Sequence, residues 1–332
     1  MMLKSGQFDS VPIINIAPLY NEKSDLDGLA RAIEHAYSNV GFAYIVNHQI
    51  PQVLIDELFE ASAMFHALPR AEKMRIEINK FHRGFIPINS STPKTSSIAE
   101  VTKPNQSESF IMMHELPADD PDLLAGVDLA GPNQWPEQLP DFRKKVLAYN
   151  SALSELAQKI VRAIALALGQ DDDCFDSHFQ HPTSFLRLLF YPPHPPECTD
   201  ELFGSAPHSD YGFITILAQD KSGGLQVRNV SGEWIDAPFI PGTFVMNAGD
   251  ILHRWSNGHF ISTPHRVINR SGHSRYSCPF FFDPNMKSEI VPLATCVGEE
   301  RPLRYPPVVY GDYLMERLLA NHDQHAQRNC ST

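Results

Sequence analysis

The two halves of this chain differ in the spacing of their apolar residues, and that difference limits the folds available to it. Before residue 181 apolar residues recur at helical spacing, most clearly over residues 141–168. From Ser184 onward, short apolar runs alternate with turn residues, which is typical of β-strands. Helices followed by many short strands indicate an antiparallel barrel or sandwich flanked by helices. The chain is therefore predicted to be mainly β with flanking helices.

The same spacing predicts individual elements. Gly41 is expected to end the first helix, because glycine readily adopts the left-handed conformation found there. Residues 81–138 have no clear period and are predicted to be a long surface loop, of the kind that often covers a site. The predicted helices are 24–40, 51–65, one beginning near Pro69, and 141–168. The predicted strands are 213–217, 224–227, 242–246, 266–268 and 276–282.

The composition argues against several classes of function. The formal net charge of −12 over 332 residues argues against nucleic-acid binding, because a nucleic-acid-binding face needs a basic stripe. The longest strongly apolar stretch, 163–168, is far shorter than a membrane span, and residues 1–6 lack the apolar core of a signal peptide. Five cysteines without a CxxC pair favour reduced thiols. We expect a cytoplasmic protein whose partner is a small molecule, not nucleic acid or membrane. The oligomeric state is left open.

Two histidines and one carboxylate indicate a metal site. His208 and Asp210 are two residues apart, so in an extended segment their side chains lie on the same side. His265, from a distant segment, would complete three ligands on one face of a metal ion. This ligand set, with its open positions, suits non-haem Fe(II) that activates O2. The sequence therefore predicts Fe(II) bound by His208, Asp210 and His265.

A second pair of residues indicates an anion site. Arg275 and Ser277 share one face of a predicted strand, and a guanidinium beside a hydroxyl forms a receptor for a carboxylate. Among 15 histidines, a His two residues before an Asp could occur by chance on the surface. That alternative does not account for Arg275 and Ser277. The combination therefore favours a site for a metal and an anionic co-substrate.

These segments resemble those of a known enzyme family. Residues 206–212, 262–267 and 275–277 are similar to the metal-binding and anion-binding segments of the isopenicillin N synthase-like 2-oxoglutarate/Fe(II) oxygenases. The resemblance extends over nearly the whole chain. Weaker matches follow in the family's order at 11–14, 41–48, 190–193, 224–227, 247–250 and 282–285.

The resemblance implies a fold and a domain organisation. The β-rich part would be a double-stranded β-helix, the jelly roll of cupin-like proteins, with iron at its open end. Residues 1–332 would form a single oxygenase domain. It would consist of an N-terminal α/β region over approximately 1–180, a jelly-roll core with the site over 181–295, and a C-terminal helix and tail over 296–332.

The resemblance also implies an activity. The protein would be a dioxygenase that uses Fe(II), 2-oxoglutarate and O2 to oxidise a small molecule, giving succinate and CO2. Arg275 and Ser277 would hold the distal carboxylate of 2-oxoglutarate, and Tyr191 would lie near it. A packed strand aromatic is an equally good interpretation of Tyr191. Hydroxylation is the expected outcome, with desaturation or ring closure as alternatives.

Two other functions remain open from the sequence. One is an Fe(II) oxidase of the same fold that does not use 2-oxoglutarate, as in isopenicillin N synthase and aminocyclopropane carboxylate oxidase. Its Arg-x-Ser pair serves the substrate or an accessory anion, so Arg275 and Ser277 do not distinguish the two. The other is a non-catalytic small-molecule sensor. Formation of succinate coupled to O2 consumption would distinguish the dioxygenase from the oxidase, and any steady turnover would exclude the sensor.

The primary substrate is not named by the sequence, but two residues are candidates for contacting it. Arg187 shares a strand face with Tyr191, and an inward guanidinium needs an anionic partner. That partner could be an anionic substrate or an internal Asp or Glu. Phe282 is also expected beside the substrate. We expect specificity to reside in residues 81–110 and around Arg187.

Overall fold

Two β-sheets form the core of the structure, a computed structural model that describes residues 7–21, 25–91, 103–193 and 203–321. The strands are β1 Ile13–Asn15, β2 Phe42–Val46, β3 Gly84–Ile86, β4 Glu108–Met113, β5 Thr183–Tyr191, β6 Ser205–His208, β7 Ile214–Gln219, β8 Leu225–Arg228, β9 Trp234–Asp236, β10 Thr243–Ala248, β11 His265–Val267, β12 Arg275–Asp283, β13 Glu289–Ile290 and β14 Val308–Val309. The larger sheet has eight strands in the order β1-β2-β10-β7-β12-β5-β4-β3, and the smaller has β6-β11-β8-β9.

The described residues contain seven α-helices, of which the first, second and fifth pack against strands of the larger sheet. They are α1 Leu26–Asn39, α2 Gln52–His66, α3 Arg70–Met74, α4 Pro121–Ala125, α5 Phe142–Ala167, α6 Asp250–Trp255 and α7 Tyr310–Asn321. The long helix α5 contacts α1, α2 and β12 through a buried apolar stripe that includes Val146, Leu153 and Ile160. The helices α2 and α5 cover one face of β5 and β12. The opposite face of these strands lines a cavity.

Strand alternation decides which side chains reach that cavity. In β12 the odd-numbered residues from Arg275 to Phe281 line the space between the sheets, whereas Tyr276, Cys278 and Phe280 point to the other face. In β5, Phe185, Arg187, Leu189 and Tyr191 do the same. The two strands pair antiparallel, with Arg275 opposite Tyr191. A row of inward side chains therefore runs along the centre of the larger sheet.

The predicted fold class, a jelly-roll core with flanking helices, is confirmed. The prediction of a loop over 81–138 is wrong where β3, β4 and α4 form. These elements were missed because each is too short to show a period. Four of the eight strands in the larger sheet, β1 to β4, come from before residue 181, so the N-terminal region shares its sheet with the core. Gly41 follows α1 at φ +73°, as predicted.

Three predicted features fall partly or wholly outside the described residues. They are the first residue of the predicted helix 24–40, part of the expected specificity region 81–110, and the tail beyond residue 321. Within the described ranges, Cys174, Cys278 and Cys296 are free thiols. A helix with both the length and the apolar character to cross a bilayer does not occur among the residues described.

Candidate active site

The three predicted metal ligands lie together between the two sheets. His208 ends β6, His265 begins β11, and these two residues are register partners across the antiparallel pair. Asp210 follows β6, and its Oδ1 lies 3.8 Å from His208 Nε2 and 3.6 Å from His265 Nε2. One donor atom from each residue falls within 4.8 Å of the others. Ligand–metal bonds are about 2.0–2.2 Å, so one ion could contact all three atoms.

Backbone carbonyls fix the orientation of both imidazoles. His208 Nδ1 lies 2.8 Å from the Ala206 carbonyl, and His265 Nδ1 lies 3.3 Å from the Thr263 carbonyl. Donation of Nδ1–H to these oxygens turns the Nε2 of each ring toward Asp210. Burial, followed by the charge of His265, lowers the pKa of His208 to about 4. The imidazole is therefore neutral near pH 7, as metal binding requires.

Asp210 is held by two residues to which the sequence assigned no role at the site. Thr215 Oγ1 and Asn247 Nδ2 donate to Asp210 Oδ2 at 2.6 and 2.8 Å. Burial would raise the pKa of Asp210, but the two histidines and these two donors outweigh it, and the pKa is lowered. The carboxylate therefore stays ionised and available to a cation. A polar Thr215 on the buried face of an apolar strand was the signal that could have revealed it.

A buried guanidinium forms the predicted anion site. Arg275 is 0% exposed, and its side chain donates to the Gly223 carbonyl at 2.6 Å and to Ser277 Oγ at 3.1 Å. Its second terminal nitrogen has no hydrogen-bond partner among the described residues. Ser277 Oγ donates to the Tyr191 hydroxyl at 3.4 Å, and the Tyr191 ring lies 4.6 Å from the guanidinium carbon. An unsatisfied buried guanidinium nitrogen is costly, so this arrangement is suited to an incoming carboxylate.

Two adjoining cavities connect these groups. The inner cavity is lined by the His208, Asp210 and His265 cluster and also by Arg275 and Ser277. The outer cavity, of about 140 Å³, is lined by His208 and Asp210 on one side. Its apolar wall consists of Ile111, Phe185, Phe281, Leu314 and Leu318. The inner and outer cavities therefore meet at His208 and Asp210.

Arg187 lies where the two cavities meet. It lines both of them, and its Nε donates to Ser109 Oγ at 2.8 Å. Burial lowers the pKa of its guanidinium. Among the ion pairs of the described residues, none includes Arg187. Its charge therefore faces the cavities without a carboxylate from the described part of the chain.

Phe282 does not reach the site. It is 1% exposed and stacks on Phe179 with ring centroids 5.4 Å apart, in the core behind the sheet. The aromatic side chain that lines both cavities is that of Phe281. Consecutive strand residues face opposite sides, so Phe282, expected beside the substrate, points away from the cavities, and its neighbour Phe281 points into them. From the expected specificity region, His82, Ser91 and Asn105 line the outer cavity, whereas 92–102 are outside the described residues.

Comparison with known families matches most of this chain. Residues 11–138 match the model described as the N-terminal region of non-haem dioxygenases in morphine synthesis. Residues 182–284 match the 2OG-Fe(II) oxygenase superfamily, and this range contains all three residues of the histidine–carboxylate cluster together with Arg275 and Ser277.

Individual relatives are similar over nearly their whole length. A 2-oxoglutarate-Fe(II) type oxidoreductase of Emericella nidulans is 35% identical over 91% of this chain and 87% of its own. A homoarginine-6-hydroxylase of Glycine max is 33% identical over 95% and 98%. A full-length Neurospora crassa protein, crystallised with alpha-KG and 5-formyluracil, superposes with a TM-score of 0.82 at 31% identity, covering 96% of this chain and all of that one.

Proposed function

The chain belongs to the family of 2-oxoglutarate/Fe(II)-dependent oxygenases, and from this premise we propose which of its residues bind the metal, the co-substrate and the substrate. As a member, it is an enzyme that uses Fe(II), 2-oxoglutarate and O2 to oxidise a small molecule. One observation carries the assignment: a single cavity is lined both by the His-Asp-His cluster and by a buried arginine with an unpartnered nitrogen.

The metal would be held by His208, Asp210 and His265. The donor set supports this, since two imidazoles and one ionised carboxylate match what non-haem Fe(II) prefers. Fe(II) bound there would supply the redox chemistry that converts 2-oxoglutarate and O2 into succinate, CO2 and oxidised substrate. The chain's own part is to orient these ligands and to keep water out. Phe42, whose ring lies 5.2 Å from that of His265, contributes to the exclusion of water.

The distal carboxylate of 2-oxoglutarate would bind Arg275 and Ser277. The unpartnered nitrogen of Arg275 supports this, because a carboxylate would satisfy it with a charge-assisted hydrogen bond. The Tyr191 hydroxyl accepts from Ser277, which leaves its own proton free to donate to a ligand. The apolar residues Leu217, Leu225 and Val267 line the same cavity, so the contact would be made in a largely dry environment.

The experiment that tests this assignment measures iron content and succinate together. Wild-type protein should bind one Fe(II) and form succinate from 2-oxoglutarate as O2 is consumed. His208→Ala, Asp210→Ala and His265→Ala should each lose iron and turnover, because two ligands hold the metal too weakly. The matched control is His259→Ala, because His259 pairs with Glu34 and does not belong to the histidine–carboxylate cluster. Product formed by wild type without 2-oxoglutarate would favour the oxidase alternative, and wild-type iron and activity in two ligand variants would reject the site.

The substrate would present an anionic group, or a strong hydrogen-bond acceptor, to Arg187. The guanidinium at the junction of the two cavities supports this, because no described carboxylate pairs with it. The outer cavity has a volume of about 140 Å³. An engineered protein cavity of about 150 Å³ holds one benzene ring, which gives the scale of the group it would accommodate. The apolar wall opposite would receive the carbon atoms of such a molecule.

Arg187→Met tests the substrate contact, because methionine keeps much of the volume and removes the charge. The variant should fold, still convert 2-oxoglutarate slowly without substrate, and lose substrate oxidation. Arg187→Lys, which retains the charge, should keep part of that oxidation. A destabilised Arg187→Met variant, or a crystal structure with Arg187 paired to a protein carboxylate away from the metal, would reject the proposal.

The relatives supply the first compounds to test. The Neurospora crassa protein was also crystallised with thymine, and the relatives include homoarginine-6-hydroxylases. Homoarginine carries a carboxylate, and thymine offers only neutral carbonyl acceptors. Stimulation of 2-oxoglutarate turnover by small carboxylates would support an anionic substrate, whereas stimulation by thymine alone would point to a neutral acceptor at Arg187.

We also propose that the enzyme works in the cytoplasm and acts on a small molecule, with neither nucleic acid nor a membrane as a partner. The three free thiols support a reducing compartment, with Cys198 and Cys330 outside the described residues. The formal net charge of −12 supports the absence of a nucleic-acid partner. Fractionation of the source cells, followed by detection of the protein, tests the location.

A further inference from the structure

One oxygen of Asp210 is held by two neutral donors from the larger sheet. Thr215 and Asn247, which are 4% and 3% exposed, both donate to Oδ2. They lie directly opposite each other in the pairing of β7 with β10. Side chains of such a pair stand on the same face of the sheet. The two donors therefore reach the carboxylate from one rigid surface.

The other oxygen of Asp210 faces the histidines. Oδ1 lies 3.8 Å from His208 Nε2 and 3.6 Å from His265 Nε2. An ionised carboxylate has about two acceptor positions on each oxygen. The two hydrogen bonds from Thr215 and Asn247 use both positions of Oδ2. Only Oδ1 is left to bind a cation beside the two histidines.

The backbone around Asp210 is fixed by the segment that follows Asn247. The N–H of Asp250 donates to the Asp210 carbonyl at 2.8 Å, and the N–H of Ile251 donates to the Gly212 carbonyl at 2.9 Å. The carboxylate and the main chain of Asp210 are thus both anchored to residues 247–251. Loss of the side-chain donors would free the carboxylate to rotate while these backbone bonds still hold the loop.

We propose that Thr215 and Asn247 are positioning residues that restrict Asp210 to binding the metal through Oδ1 alone. The inference rests on the proposed metal and co-substrate site. A carboxylate can bind a metal ion through one oxygen or through both. Two histidines and one carboxylate suit this chemistry because they leave positions open for other ligands. A second oxygen from Asp210 would fill one of these, so the two donors protect binding of 2-oxoglutarate more than binding of the metal.

The test uses Thr215→Val with Asn247→Leu, which remove both donors at nearly constant volume. Mn(II) affinity of the metal-free protein is measured by calorimetry. Binding of 2-oxoglutarate at saturating Fe(II) is followed without O2, through the visible absorption that appears when a 2-oxo acid chelates the ion. We expect Mn(II) affinity within about threefold of wild type and half-saturating 2-oxoglutarate raised about tenfold or more, the scale on which residues behind a ligand act. Thr215→Ser, which keeps the hydroxyl, should bind 2-oxoglutarate as wild type does.

Two results would overturn this inference alone. One is an unchanged 2-oxoglutarate affinity in the double variant. The other is a large loss of Mn(II) affinity with 2-oxoglutarate binding unchanged at saturating metal. That result would show that Thr215 and Asn247 only hold Asp210 in place for metal binding. Wild type that binds no Mn(II) would overturn the proposed site as well. If the double variant does not fold, Thr215→Val alone is measured, and a rise of less than about threefold in half-saturating 2-oxoglutarate counts against the inference.

Discussion

Arg275 is a buried residue with an incomplete set of hydrogen bonds among the described residues. Its guanidinium is fully buried, two of its nitrogens donate to Gly223 and Ser277, and the third has no partner in the described part of the chain. Leaving a charged donor buried and unsatisfied costs free energy, which an incoming carboxylate would recover. Ser277 differs, because its hydroxyl is neutral and already has partners. The two residues should therefore contribute unequally to the affinity for 2-oxoglutarate.

Arg275→Met should raise half-saturating 2-oxoglutarate by roughly 30- to 5,000-fold, since losing one partner of a buried charged pair costs about 2–5 kcal/mol. Ser277→Ala should raise it only about fivefold, because a neutral hydrogen bond contributes about 1 kcal/mol. Fe(II) binding should change little in either variant. Arg143→Met, at a guanidinium that pairs with Glu115 on the surface, is the control. Equal effects of Arg275→Met and Arg143→Met in an anaerobic titration would contradict the assignment.

At the scale of elements, the alternation of β5 and β12 organises the site. In each strand every second side chain lines the cavities and the others pack in the core. Neighbouring residues therefore contribute to different properties, ligand binding or stability. Phe281 and Phe282 are the clearest pair. Phe281 lines both cavities, whereas Phe282 packs against Phe179 and is 1% exposed. Substitutions at these two positions should therefore separate function from stability.

Phe282→Ala should lower the free energy of unfolding by about 3–5 kcal/mol, because it leaves a void in the core. Phe281→Ala should change stability much less and should raise the KM for the primary substrate or uncouple 2-oxoglutarate turnover from its oxidation. Chemical denaturation and coupled assays on both variants provide the measurement. The reverse pattern, with Phe281→Ala the less stable and Phe282→Ala the less active, would show that the strand faces the other way.

The sequence could predict site residues that lie close together along one strand. It could not predict contacts that depend on the register between strands. His208 and Asp210 were found because two residues along an extended chain share a side, and Arg275 and Ser277 for the same reason. Asn247 lies 37 residues from Asp210 in the chain, and its contact depends on the pairing of β10 with β7, which no local pattern specifies. The side of β12 that carries Phe282 likewise depends on where the helices pack.

For the molecule as a whole, buried histidines link stability to pH. His114 follows β4, accepts a hydrogen bond from the Ser184 N–H at 3.3 Å, and has a pKa lowered to about 4 by burial and then by the charge of Arg83. The unfolded chain takes up this proton near pH 6.5, and the folded chain only near pH 4. Between these values the unfolded state binds more protons, so stability is lost as the pH falls through this window.

His114→Asn, which keeps an acceptor for the Ser184 N–H, should reduce that acid sensitivity. Each unit of pKa difference corresponds to about 1.4 kcal/mol, so the loss of unfolding free energy between pH 7 and pH 4 should be smaller by on the order of 2–3 kcal/mol. Urea denaturation of the metal-free protein across this range is the measurement, with His35→Asn at an exposed helix position as the control. Parallel pH profiles for wild type and His114→Asn would show that His114 is not responsible.

One cavity is proposed to hold both the metal, on His208, Asp210 and His265, and the co-substrate, on Arg275. The most direct test is a crystal structure of the protein with Mn(II), as a redox-inert substitute for Fe(II), and 2-oxoglutarate. We expect an anomalous peak in contact with His208 Nε2, Asp210 Oδ1 and His265 Nε2, and the distal carboxylate of 2-oxoglutarate on Arg275 and Ser277. Metal bound by other residues, or that carboxylate bound away from Arg275, would contradict the assignment.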